Sequence, residues 1–166
     1  MIHPLVAAAG RTRAFTALAP HLLHRIDLIT HRLTRGHILP SRLLLPTVML
    51  TTVGCRSGRP RTTPVCAHLA DDGTWLLVAS NYGKGRHPAW STNLLADSQA
   101  RITASGRVHH MSARLLTEDE REAHQGRIIA VLPVIHTWES TAARTFRIFL
   151  LSPKAPSPER HIPPAT

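Results

Sequence analysis

Leu50-Thr51-Thr52-Val53-Gly54-Cys55-Arg56-Ser57-Gly58-Arg59-Pro60-Arg61-Thr62-Thr63-Pro64 is where two β-type runs meet around a turn dense in glycine, hydroxyl and guanidinium groups. Val48 to Val53 is apolar and β-branched, and from Thr62 to Leu69 alternation resumes with Thr63, Val65, Ala67 and Leu69 on one face, which predicts strand, turn, strand. Gly54 and Gly58 supply the positive-φ freedom that such a turn uses. The turn directs backbone N–H groups inward, Ser57 adds a hydroxyl, and Arg56, Arg59 and Arg61 carry forks shaped for phosphate or carboxylate. The same residues also fit an ordinary basic hairpin with solvated arginines. Neither G-x-x-x-x-G-K-[ST] nor a G-x-G-x-x-G opening a helix occurs, which argues against a P-loop and against a dinucleotide-binding βαβ unit.

Upstream, residues 1–19 are Ala-rich and read as a flexible arm. After Pro20, Leu22, Ile26, Ile29 and Leu33 recur at helical spacing until Gly36, so an amphipathic helix is expected with its apolar stripe on the core. Its polar side carries His21, His24, Arg25, His31, Arg32 and Arg35, a composition that also suits an anionic membrane surface. His24, Asp27 and His31 share a face and read as a solvated helix side rather than a metal site. Downstream, Asp71-Asp72-Gly73 turns into Thr74–Ser80, an apolar run without alternation that predicts a strand covered on both faces. It delivers a second glycine-rich basic loop, Ser80 to His87, just before Pro88 opens a short helix through Leu95. Gln99–Ala104 and Arg107–Leu116 form a second hairpin. Thr117-Glu118-Asp119-Glu120 is a capping box that starts a helix to about Leu132 and Pro133. Trp138 then falls in a loop or short helix, Phe146–Leu151 is a last strand, and the Pro-rich 152–166 is expected to be disordered. The sum is an α+β, mainly β chain: a small, partly open barrel of about six antiparallel strands with flanking helices, in one domain over 20–151.

Composition narrows the function classes. A hydrophobic share of 43% over 166 residues is enough for a buried core. The formal charge is +10, and residues 1–70 hold nine arginines against Asp27 alone, so the front half favours an anionic partner. Aromatics at 4% do not furnish the stacking platform of a nucleic-acid-binding barrel. Cys55 and Cys66 define neither a disulfide framework nor a metal site, which fits a cytoplasmic protein. No apolar run approaches the roughly 20 residues of a spanning helix, and His109 and His110 point to opposite sides of their strand.

With the elements placed, four blocks come into register: T-T-x-G-x-x-S-G-x-x-R-x-T-P at Thr51–Pro64, A-S-N-x-G at Ala79–Gly83, P-x-W-x-x-N-L at Pro88–Leu94, and T-x-x-E-R at Thr117–Arg121. Their order and separation resemble the deazaflavin-dependent nitroreductase and quinone reductase family of actinobacteria, from about Leu22 to Pro153. The resemblance implies a split β-barrel of the FMN-binding type, coenzyme F420 as cofactor, and hydride transfer to a planar acceptor such as a quinone, nitroaromatic or activated alkene. By position, Arg56, Ser57, Gly58 and Arg61 would bind the phosphate and oligoglutamyl tail, with Arg59 as helper. Ser80, Asn81 and Gly83 would lie against the ring or its linker, and Pro88, Trp90 and Asn93 would wall the groove. Tyr82 and Ser80 are the candidate proton donors. Cys66, Ile135 and Trp138 stand where family members often carry tyrosines and are candidate substrate-pocket residues; Cys55 and Tyr82 replace a common arginine and glycine. The implied partner is a small molecule, with peripheral membrane contact through the basic first helix and no metal or nucleic acid. A non-catalytic carrier of deazaflavin or FMN is the alternative, and oligomeric state is not fixed by the sequence.

Overall fold

The computed structural model describes residues 26–30, 33–34 and 46–154. The expected arm over 1–19, the placement of His24 and His31, and the tail beyond 154 lie outside them. Six strands, β1 (Thr47–Val53), β2 (Pro60–Leu69), β3 (Trp75–Val78), β4 (Gln99–Ala104), β5 (Arg107–Leu115) and β6 (Ile148–Pro153), follow one another around a barrel in the order β1-β2-β3-β6-β5-β4. The barrel is closed rather than partly open, because β1 pairs β4 from Met49↔Thr103 to Thr52↔Ala100 as well as its hairpin partner β2. Closure leaves no bare edge in this sheet. The last strand is shifted two residues from the expected Phe146–Leu151, since β6 stays paired with β5 as far as Met111↔Pro153. Ser152 and Pro153 therefore belong to the sheet, not to the tail.

Alternation fills the barrel. Val48, Leu50, Val65, Ala67, Ala100, Ile102, Met111, Ala113, Phe149 and Leu151 form one buried cluster with Trp75 and Leu77. Helix α1 (Ala89–Ala96) adds Trp90 and Leu94 to it, with the Trp90 and Phe149 rings 5.7 Å apart at 57°. The opposite face of β3 presents Leu76 and Val78 to a second cluster built by helices α3 (Gln125–Val131) and α4 (Ile135–Ala142). Two covered faces explain why this run shows no polar alternation.

The helix expected from the capping box to Leu132 is two helices. Thr117 Oγ1 accepts from Glu120 N–H and Glu120 Oε2 accepts from Thr117 N–H, so the box opens α2 (Glu118–Ala123) as expected. The Arg114 guanidinium, 2.7 Å from Glu120, and the Thr117 amide hold that carboxyl down to about 2. His124 (φ −97°, ψ 9°) ends α2 and begins α3. The break has a packing reason: α2 buries none of its residues, whereas α3 turns Ile128 and Val131 onto the sheet.

The first helix is rolled the other way from expectation. Ile26, Ile29 and Leu33 are 36%, 58% and 79% exposed, while Asp27 is only 1% exposed. The inward side is Asp27, Thr30 and Thr34, whose hydroxyls bond back to helix carbonyls, Thr30 Oγ1 to Ile26 O at 2.9 Å and Thr34 Oγ1 to Thr30 O at 2.7 Å. Hydroxyls that already donate in this way can face the protein without an added acceptor.

A nearly buried ion pair locks the C-terminal half. Arg121 Nη2 donates to both Glu139 oxygens at 2.7 and 2.8 Å, its Nη1 donates to Phe146 O at 2.8 Å, and Glu139 Oε1 accepts from Phe146 N–H. These side chains are 12% and 16% exposed. Replacing Arg121 by Ala strands the carboxylate and is expected to cost about 2–3 kcal/mol in urea unfolding. A loss under about 0.5 kcal/mol would instead place the pair with ordinary surface pairs.

Candidate functional site

The β1–β2 turn is ordered from within. Gly54 N–H donates to Arg59 O at 2.9 Å, and both Ser57 N–H and Gly58 N–H donate to Gly54 O, at 3.1 and 2.8 Å. Gly58 has φ +64°, the left-handed geometry that glycine takes without penalty. Gly54 is needed for space rather than for positive φ, since a Cβ there would lie 2.7 Å from Ser57 Oγ and 3.3 Å from Arg59 O. The inward-pointing amides expected to cradle an anion are thus largely spent on the turn itself. What it offers an anion is side chains: Arg56, Ser57, Arg59 and Arg61 are exposed.

Asn93 fastens this turn to α1. Its Oδ1 accepts from Cys55 N–H at 3.0 Å and its Nδ2 donates to Thr52 Oγ1 at 3.0 Å, with Asn93 and Thr52 both buried. Trp90, three residues earlier, is 8% exposed inside the barrel. Both residues therefore act on the site by bracing it.

The second glycine-rich loop runs directly into the same helix. Asn81, Tyr82 and Gly83 take φ of 51°, 56° and 72°, three successive left-handed residues, of which Tyr82 carries the side chain that disfavours it. Asn81 Nδ2 donates to Arg86 O at 2.9 Å, and the amides of Gly83 and Lys84 donate to the carbonyls of Ser80 and Asn81. Arg144 holds the remainder. Its Nη2 donates to Ser80 O at 2.9 Å and Arg86 O at 3.2 Å, its Nε to Lys84 O at 3.0 Å, and its Nη1 to His87 Nδ1 at 3.0 Å. A guanidinium has no acceptor, so His87 carries its proton on Nε2. Burial, then Arg147 and Arg144, keeps the His87 pKa below 6.5.

The remaining candidates gather behind the loop. Tyr82 and Cys66 pack against the second cluster, which contains Ile135 at 0% and Trp138 at 5% exposure. Trp138 sits in α4, and a Cβ on Gly83 would stand 3.3 Å from its Cγ. Burial first, then the charges of Cys66 and Asp27, pushes the Tyr82 phenol up to about 12; burial first, then Asp27, pushes the Cys66 thiol to about 12. Cys66 is thus a poor nucleophile. Ser80 is 8% exposed, with its hydroxyl beside this group in sequence.

Reading the sequence did not find Arg144, Glu139 or Arg147, the last of which reaches Ser91 Oγ at 3.3 Å. Glu139 lies in α4, and Arg144 and Arg147 come just before an apolar strand, with no motif of their own. A glycine-rich loop leaves several carbonyls in need of a donor, and that deficit was the one available signal. A cleft of about 360 Å³ over α2 and α4 is lined by Glu118, Asp119, Glu122 and Glu139 with Arg121, His136 and Thr145.

A family model described as F420H(2)-dependent quinone reductase matches residues 23–153. An F420H(2)-dependent quinone reductase of Mycobacterium tuberculosis is 32% identical over 79 residues, 48% of this chain and 51% of that protein. The chain spans about half the length of the curated relatives it matches. The structure of an F420-H2 dependent reductase aligns with a TM-score of 0.57 and 27% identity over 64% of this chain and 94% of that one. A structure described as a domain-swapped dimer aligns with a TM-score of 0.59 and 25% identity over 76% and 96%.

Tyr82 is the sole tyrosine, so its ionisation is directly readable by ultraviolet titration. It should ionise near 12. An ordinary midpoint near 10 would mean that the phenol is solvated. Gly83→Ala combines positive φ with crowding against Trp138 and is expected to cost about 2 kcal/mol in chemical unfolding.

Proposed function

The chain belongs to the F420H(2)-dependent quinone reductase family, and from that premise we propose that this protein is an oxidoreductase that uses reduced coenzyme F420 to reduce a planar electrophilic acceptor, a quinone, nitroaromatic or activated alkene. The observation that carries this reading is the hairpin turn. Arg56, Arg59 and Arg61 are exposed, and neither ion pair reported among the described residues involves them. A tail bearing phosphate and carboxylates supplies the charge such a cluster is suited to receive.

In this reading Arg56, Ser57, Gly58 and Arg61 hold the phosphate and tail, assisted by Arg59, while Ser80, Asn81 and Gly83 lie against the ring or its linker. Pro88, Trp90 and Asn93 keep the wall between them rigid. When bound, the cofactor supplies the hydride; the protein's share is to position, to exclude water and to manage a proton. Tyr82 stays protonated up to about 12, which suits it to donate a hydrogen bond to developing negative charge rather than to ionise. The Ser80 hydroxyl or solvent is the other donor. Cys66, Ile135 and Trp138 back the loop from the acceptor side. A carrier that binds the cofactor without turnover is the competing reading, and an acceptor panel with no turnover despite tight binding would select it.

A specific observation favours a second feature, peripheral contact with an anionic membrane surface. The first helix exposes Ile26, Ile29 and Leu33, and the adjoining sequence holds Arg25, Arg32 and Arg35. Among the described residues no helix is long and apolar enough to cross a membrane.

A titration following ligand fluorescence, with coenzyme F420 and separately with FMN, tests the proposal. Tighter binding of the deazaflavin is expected. Combined Arg56→Ala and Arg61→Ala should weaken it by about a hundredfold or more, two charge-assisted hydrogen bonds being removed. Unchanged affinity in that double variant would remove the tail assignment, and preference for FMN would move the protein to flavin chemistry.

A further inference from the structure

The loop from Ala79 to His87 holds its shape against its own backbone preferences. Of three successive left-handed residues, Asn81, Tyr82 and Gly83, the middle one is unfavourable by steric contact of its Cβ with the following carbonyl. Something outside the loop has to maintain them. The backbone hydrogen bonds internal to it, Gly83 N–H to Ser80 O and Lys84 N–H to Asn81 O, are both 3.2 Å long, and Asn81 Nδ2 adds one to Arg86 O at 2.9 Å.

We propose that Arg144 is a positioning residue for the cofactor-facing loop, its guanidinium fixing the left-handed turn Asn81–Gly83 by donating to carbonyls on both sides of it. The proposal rests on the functional reading above for the identity of what the loop receives. Ser80 O lies before the turn, and Lys84 O and Arg86 O lie after it; one planar group spans all three at 2.9, 3.0 and 3.2 Å. Weaker contacts at 3.4 and 3.5 Å reach Ala79 O, and His87 Nδ1 closes the set. These acceptors are neutral, so what the site selects is the fork rather than the charge.

Arg144 is itself held on both sides. Its guanidinium carbon stacks 4.4 Å from the Phe146 ring centroid. Its backbone N–H donates to Glu139 O at 3.3 Å, directly after Ala143, the left-handed C-cap of α4. Phe146 is bound through its backbone by Arg121 and Glu139. The block T-x-x-E-R thus reaches the A-S-N-x-G loop through three contacts in series, Arg121 to Glu139 and Phe146, then Arg144, then the carbonyls of the loop. A lysine has three donors on a flexible stem and no plane with which to span them.

The test uses the full chain and two variants, Arg144→Lys and Arg144→Gln, with two readouts. Amide hydrogen exchange in the cofactor-free protein follows Gly83 and Lys84 against the barrel strands as internal reference. Both variants are expected to speed exchange at these two amides by about tenfold or more with the strand amides unchanged. Titration with coenzyme F420 should show about a tenfold or larger loss of affinity in both variants, as pre-organisation of the loop is lost. Arg56→Ala is the contrasting variant: weaker binding with exchange at Gly83 and Lys84 as in the wild type. Unchanged exchange in Arg144→Gln overturns the clamp whatever the cofactor does. Faster exchange with unchanged affinity overturns the link to the cofactor, and wild-type behaviour of Arg144→Lys in both readouts overturns the requirement for a fork. Should the wild type bind no coenzyme F420, the functional reading fails and takes the cofactor link with it, while the exchange result still decides whether Arg144 shapes the loop. Should Arg144→Gln not fold, Arg144→Lys carries the same comparison.

Discussion

The side-chain amide of Asn93 is the joint on which the cationic end of this molecule depends. One end of the amide accepts from Cys55 N–H and the other donates to Thr52 Oγ1, so a single residue joins α1 to a strand and to the turn that follows it. The site is buried, where an unmet amide is costly, and that cost fixes the register of helix against hairpin. The same helix plugs the barrel with Trp90 and Leu94 and is entered directly from the second glycine-rich loop. Packing of the barrel interior, the attitude of the hairpin and the start of the loop are therefore set together.

Arginine serves two opposed purposes in this chain. In the hairpin, Arg56, Arg59 and Arg61 stand in solvent, where charge is the useful property. In the C-terminal half, Arg121 and Arg144 are turned inward, where five donors in a plane are the useful property. Arg121 has a carboxylate partner. Arg144 has carbonyls, a histidine nitrogen and an aromatic face, and desolvation, then the nearby Arg147, draws its pKa down. Composition cannot separate these uses, because both count as +1.

The loop between β3 and α1 shows how strain and function meet. Left-handed residues in succession persist only where the surroundings over-determine them, and here the surroundings are Arg144 from one side and the Trp138 ring close to Gly83 from the other. Tyr82 gains burial from the same arrangement. Burial first, then the charges of Cys66 on β2 and Asp27 on the first helix, raises the pKa of its phenol.

Much of this was present in the chain itself. The hairpin around Gly54 to Arg59, the doubly covered strand at Trp75–Val78, the capping box at Thr117 and the pair of cationic loops follow from alternation, turn residues and local hydrogen bonding, all of which act over a few residues. Closure of the barrel between β1 and β4, the break at His124, the outward roll of Ile26, Ile29 and Leu33, and the inward use of Arg121 and Arg144 do not. Closure pairs Met49 with Thr103, and the inward arginines reach Glu139 from Arg121 at a separation of 18 and Ser80 from Arg144 at 64. Local sequence determines which groups a segment must satisfy. Only the tertiary structure decides which distant segment satisfies them, because hydrogen-bond donors and apolar faces state a need without naming the partner that meets it.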